Sequence, residues 1–259
     1  MRLRNLIVWL ILIVPLFNVF SQTSYYTHNL GSLKTSDLNL QKVFDEAEKK
    51  AEMNIKDFGK YNVLEEGGGY NNVWLETQPM GGYMYAKRNL KIARNNIQIF
   101  MDLQCEDGRL PGVIGNKNNT LIPFYRQLQG FGFQMPAFEI YYLLNKNGGY
   151  VSQLYNSLEK YDEYLWKNSD SDNDGCLETW CVYDTGEDNC ERYCETPNGW
   201  PFNYPPTEEH IMKISEEELS RDCGKLKFDF SRIFPVPIES MDIMSCSYSN
   251  RDVLSLISQ

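Results

Sequence analysis

Apolar residues recur along this chain mostly at helical spacing. From Leu38 to about Phe58, the residues Val43, Ala47, Ala51 and Ile55 return every fourth position, which predicts a helix. Gly67-Gly68-Gly69 breaks the pattern. The triplet lacks the spacing and the following Lys of a phosphate-binding loop, so it reads as a turn. A second helix is predicted from Pro79 to Leu103, with Leu90, Ala93, Ile97 and Phe100 as its buried stripe. Asp107-Gly108 and Pro111-Gly112 form its exit turn. A third helix is predicted from Phe133 to Leu144, closed by Asn147-Gly148-Gly149, and a fourth from about Tyr150 to Lys167. A Cys-rich, aromatic loop region follows from Asn168 to about Pro206. Thr207-Glu208-Glu209 has the form of a short helix start. A final helix is predicted from near Glu239 to the end. Strand-type alternation is confined to residues 226–234. The pattern therefore predicts an all-α fold of successive helical hairpins, a toroid or a solenoid. No repeat of fixed period is present, which disfavours the common solenoids.

The amino terminus reads as an address. Arg2 and Arg4 precede a run from Leu6 to Phe20 that is apolar apart from Asn18, and Val19 and Ser21 suit cleavage before Gln22. This predicts a signal peptide over residues 1–21 and export to the periplasm or the extracellular space. An uncleaved anchor is the alternative, but the run falls short of the roughly 20 residues of a membrane span. Residues 22–36 read as a mobile entry segment and residues 37–259 as the folded domain. No other segment is apolar and long enough to cross a bilayer, so no stable membrane insertion is expected.

Export permits disulfides. The seven cysteines are an odd number, and Cys176, Cys181, Cys190 and Cys194 are close in sequence. Their gaps are wider than those of a zinc ribbon, so a local disulfide is favoured over zinc. Asn118-Asn119-Thr120 is a glycosylation sequon, relevant in a eukaryotic host. The net charge of −10 argues against a nucleic-acid partner, because binding phosphates requires a basic face. Two His leave the carboxylates as the acid/base groups. A 14% aromatic content provides for a sizeable core.

The most informative stretch is Thr185-Gly186-Glu187-Asp188-Asn189-Cys190-Glu191-Arg192-Tyr193, between Trp180 and Trp200. Rings stack on the C–H faces of sugars, and amides and carboxylates pair with hydroxyls. A buried carboxyl among them can protonate a glycosidic oxygen. An acidic, solvated loop has the same composition. The stretch resembles the Gly-x-Asp-Asn-Ser-Pro-Arg motif of the processing α-glucosidase (mannosyl-oligosaccharide glucosidase) family of inverting glycoside hydrolases and its bacterial relatives. Here Cys190 and Glu191 stand in place of Ser-Pro. Trp74-Leu75-Glu76-Thr77-Gln78-Pro79-Met80-Gly81-Gly82, Gln104 with Asp107-Gly108-Arg109-Leu110-Pro111-Gly112, Asp170-Ser171-Asp172-Asn173-Asp174-Gly175, and Glu239-Ser240-Met241-Asp242-Ile243 look like further family segments in the same order.

The resemblance implies a toroid of six helical hairpins, of which about half would be present. It implies an inverting mechanism acting on α-glucosides or related oligosaccharides, with Asp188 as the general acid. Trp74, Glu76, Gln134, Trp180, Asn189 and Arg192 are its candidates for binding the sugar. The family's catalytic base lies far downstream of the acid. After Glu239 only Asp242 and Asp252 remain. The expectation is thus a chain lacking its base and without useful activity alone, completed by a C-terminal segment or a second chain. A non-catalytic carbohydrate-binding or interaction module is the alternative, and a purely structural secreted protein a third. No cofactor is required for this chemistry. Asp170, Asp172 and Asp174 with Gly175 fit the first half of a calcium loop, but Cys181 occupies the position of the bidentate Glu.

Overall fold

The computed structural model describes residues 32–67, 70–125, 130, 132–170, 172–179 and 238–259. Asp37 opens α1 (Leu38–Met53) by accepting hydrogen bonds from the Asn39 and Leu40 amides at 2.9 and 3.0 Å. The expected continuation to Phe58 is instead a strand, β1 (Ile55–Phe58), which turns at Gly59-Lys60 into β2 (Tyr61–Leu64). Gly59 has a positive φ, as a tight hairpin requires. β3 (Asn72–Trp74) leads into α2 (Gln78–Tyr85) and α3 (Leu90–Asp102). The predicted single helix over this region is therefore two. Asn89 caps the second, its side chain accepting from the Ile92 amide at 3.2 Å.

β4 (Val113–Lys117) and β5 (Thr120–Phe124) follow, joined by Asn118 and Asn119, both at positive φ. Asn tolerates that conformation and makes the two-residue hairpin turn. Then come α4 (Gln134–Leu143), α5 (Gly148–Asn168), β6 (Glu178–Thr179), β7 (Ile238–Glu239) and α6 (Met241–Ile257). β1 pairs with β2, and β3, β4 and β5 form a second antiparallel sheet in that order. A two-residue antiparallel bridge joins β6 to β7.

The all-α expectation is overturned. The described residues hold six helices and small antiparallel sheets, a mixed architecture of helices and strands. Strands, not hairpin partners, stand between most successive helices, so the incomplete toroid goes with it. The physical reason is length. β3 has three residues, and β4 and β5 have five each. A period of two cannot declare itself over so few positions, and β3 finds its partner only across α2 and α3. Residues 226–234, where strand character was expected, lie outside the described residues.

The core gathers around α3, which packs against α2, β2, α4 and α5. Ala93, Ile97 and Phe100 are fully buried and Leu90 packs at their margin, as the stripe predicted. α6 closes the other side of α4 and α5. There the buried Asp162 carboxylate accepts from Ser247 Oγ at 2.6 Å and from Arg251 Nε at 2.8 Å. Trp166 Nε1 donates to the same Ser247 hydroxyl at 2.7 Å.

Candidate functional site

A cavity of about 320 Å³ lies between the end of β2 and the start of α2. Leu64, Glu65 and Glu66 form one wall; Glu76, Met80 and Met84 belong to the other. The two walls are held together by a side chain from behind. Asn96 of α3 is fully buried, accepts from the Leu64 amide at 2.9 Å, and donates to the Leu64 and Gln78 carbonyls at 3.1 Å each. Gln78 Nε2 also donates to the Leu64 carbonyl. Close approach requires Gly82, where a Cβ would stand 2.6 Å from the Asn96 Cβ. Thr77 Oγ1 donates to Glu66 Oε2 at 2.8 Å and ties the mouth of the cavity.

Three glutamates therefore border one mainly apolar cavity, in different settings. Glu66 is exposed and hydrogen-bonded. Glu76 is partly buried. Glu65 is 4% exposed, and its Oε1 has no hydrogen-bond partner. Burial raises its carboxyl above the usual range, opposed by the charge of Lys56.

Of the sequence-predicted residues, Trp74 and Glu76 stand at this cavity's end of the fold. Trp74 ends β3 and is partly buried, with Tyr70 edge-on to its ring at a centroid distance of 6.3 Å. The turn before α4 approaches the same place, since a Cβ on Gly132 would lie 2.9 Å from the Glu76 carbonyl. Gln134, at the start of α4, is fully buried rather than turned to a surface. Its Nε2 donates to the Gly130 carbonyl at 2.8 Å and to Cys246 Sγ at 3.1 Å, and its Oε1 is unpartnered. Trp180, Asp188, Asn189 and Arg192 lie outside the described residues.

The Asp-Gly-Arg turn does structural work. Gly108 has a positive φ, and any Cβ there would run into the Lys160 carbonyl of α5. Gln104 Nε2 donates to the Gly108 and Ser157 carbonyls at 2.7 and 2.9 Å. Arg109 is buried, bridges to Asp107 at 3.0 Å, and lies over the rings of Tyr125 and Tyr164. Asp170, Asp172 and Asp174 bring carboxylate oxygens within 4.8 Å of one another, and Asp174, Cys176 and Glu239 form an overlapping group. The first trio offers the all-oxygen donors that suit calcium. Cys105 is disulfide-bonded, whereas Cys176 and Cys246 are free thiols. Burial pushes the Cys246 thiol up to about 12, which makes it inert at neutral pH.

Glu65 and Asn96 escaped the sequence reading. Their only signals are a Glu pair before a glycine run and one Asn on an otherwise apolar stripe. Comparison of the chain with known protein families, curated proteins and solved structures finds no match. Among the described residues, no helix is long and apolar enough to cross a membrane.

Proposed function

We propose that the protein is an exported glycoside hydrolase acting on α-glucosides or related oligosaccharides by an inverting mechanism. The observation that carries the reading is the mainly apolar cavity bordered by Glu65, Glu66 and Glu76 together with Leu64, Met80 and Met84. Apolar atoms suit the C–H face of a sugar ring, and carboxylates accept from its hydroxyls. In inverting hydrolysis one carboxylic acid protonates the leaving oxygen while a second carboxylate activates water from the opposite face. The resemblance offers Asp188 for the first role and Trp74, Glu76, Gln134, Trp180, Asn189 and Arg192 for binding. The disulfide at Cys105 supports export to an oxidising compartment. Calcium, where bound, belongs to the Asp170 loop as a structural ion and takes no part in the reaction. A melting temperature raised by calcium and restored by chelator would support that assignment.

The test is to incubate the protein with α-linked glucose disaccharides and follow the product anomer by NMR. Release of β-glucose that Asp188→Asn abolishes supports the proposal and overturns the expectation of a chain inactive on its own; release of α-glucose overturns the inverting mechanism. The second reading is a carbohydrate-binding module. It is favoured by the fact that the described residues between Leu64 and Met84 line a cavity of their own. Sugar binding with no release of glucose from any linkage would select it.

A further inference from the structure

We propose that Asn118, in the turn of the β4–β5 hairpin, is a site of N-linked glycosylation, modified from a lipid-linked oligosaccharide as the chain passes through a eukaryotic secretory pathway. The proposal rests on the export reading above and is independent of the cavity.

Sequence gives the first argument. Asn118-Asn119-Thr120 is the one Asn-x-Ser/Thr triplet of the chain, and its middle residue is not Pro. Placement gives the second. Asn118 and Asn119 are the two central residues of the turn, both at positive φ, and Lys117 pairs with Thr120 across it. Residues 117–120 are all exposed. A branched sugar attached there extends into solvent and displaces no packed side chain.

The third argument is a comparison of the asparagines gathered around this hairpin. Asn71 Nδ2 donates to the Asn116 carbonyl. Asn116 Nδ2 donates to the Asp57 carbonyl at 2.6 Å. Asn119 accepts from the Gly59 amide at 2.7 Å and donates to the Gly59 carbonyl at 3.3 Å. Those three amides are spent on backbone groups, and the last anchors the turn against the β1–β2 hairpin. Among the described residues, no hydrogen bond holds the Asn118 side chain. An amide nitrogen is a poor nucleophile because its lone pair is shared with the carbonyl. A transferase can relax that conjugation only in a side chain free to be turned.

The transfer balances without an oxidant or reductant. Asn118 Nδ2 forms a bond to the anomeric carbon at the reducing end of the lipid-linked oligosaccharide. The bond from that carbon to the pyrophosphate oxygen breaks with its electron pair, the lipid pyrophosphate leaves, and the amide proton passes to a base of the transferase. The product has a structural use. β5 is an outer strand of its sheet and begins at Thr120. A bulky hydrophilic group beside an outer strand obstructs its pairing with other chains.

The experiment is expression of the full chain, with its own amino terminus, in cultured eukaryotic cells. Protein from the medium and from the cells is treated with peptide N-glycosidase in heavy-oxygen water and read by gel mobility and peptide mass. The expected result is secreted protein with a single step in mobility and a heavy-oxygen label at position 118. Thr120→Ala should abolish both while keeping both turn asparagines, and Thr120→Ser should retain them. Secreted protein without the label overturns the proposal. Protein kept in the cell without the label overturns export by the chain's own leader and this proposal with it. A label gained only when a foreign leader replaces residues 1–21 shows that the hairpin accepts the sugar and that the export reading was at fault. The label is read on the unaltered chain, so misfolding of a variant would not blunt it.

Discussion

Two carboxylates at opposite ends of the β2–α3 unit show what surroundings do to the same chemical group. Asp102, at the end of α3, accepts hydrogen bonds from Lys60 Nζ at 2.9 Å, Gln98 Nε2 at 2.7 Å, Gln153 Nε2 at 3.0 Å and the Tyr61 hydroxyl. Burial pushes its carboxyl up, but those four donors outweigh burial and bring it down to about 2. Among the described residues, no donor reaches Oε1 of Glu65, just past the end of β2, and burial raises its carboxyl above the usual value. Asp102 is a joint between β2, α3 and α5. Glu65 is a group whose interactions are unfinished, and it lines a cavity. Unsatisfied polarity at a cavity, more than acidity, distinguishes a candidate site from a structural ion pair.

The sharpest way to break that comparison is to remove the side chain that holds the cavity walls. Asn96→Ala deletes three hydrogen bonds, one buried and two partly buried, and takes the Asn96 acceptor from the Leu64 amide. A loss of about 3 kcal/mol is expected in urea unfolding, and sugar binding should weaken with it. An unchanged midpoint would show that the walls are held by other contacts.

Asp102→Asn comes next, with a loss of roughly 1 kcal/mol at neutral pH, discounted for the group's partial exposure. The sign follows from the lowered carboxyl. Its stabilisation is complete above the unfolded value of 3.8 and disappears as pH falls through about 2. The variant and the parent should therefore converge in acid. A difference that persists below pH 2 would assign the effect to packing instead.

Glu65→Gln should have a smaller effect of the opposite sign. A raised carboxyl contributes stability below its unfolded value and loses it as pH rises through its folded value. The Gln variant should accordingly melt higher than the parent at neutral pH and match it in acid. A lower melting temperature at neutral pH would mean that Glu65 is partnered in solution, and the contrast with Asp102 would fail.

The smallest effect is expected on α1. None of its residues is buried, and Val43 is 66% exposed. Arg88 ties the helix down by donating from Nε to both Glu48 oxygens at 2.9 and 2.7 Å. Val43→Ser should change stability by less than about 0.5 kcal/mol. A larger loss would reveal that this face is covered in solution.

Much of the helical content was legible. α4, α5 and α6 fall within a few residues of their predicted spans, because periodicity and caps act within a turn or two of chain. The break between α2 and α3 was missed although Asn89 marks it, since the apolar period runs on through both. The expected helix past Met53 failed because Val43, Ala47 and Ala51 set a period that the core does not use. Glu76, named from the motif around it, borders the cavity, and Trp74 ends the neighbouring strand. Gln134 was named as well, but its burial against Gly130 and Cys246 was not legible, because Cys246 lies on α6 far along the chain.

The sequence by itself determined what depends on near neighbours. These are the helix spans, the capping by Asp37 and Asn89, the positive-φ turns at Gly59, Asn118 and Asn119, and the acidic character of the whole. Only the tertiary structure decided which strands pair, that Asn96 joins Leu64 to Gln78, and that Glu65 rather than Asp102 is left without donors. Desolvation and hydrogen bonding are set by whatever atoms arrive within a few ångströms. For Glu65 the neighbours are Lys56 of β1 and the α2 residues across the cavity, which local pattern does not bring together.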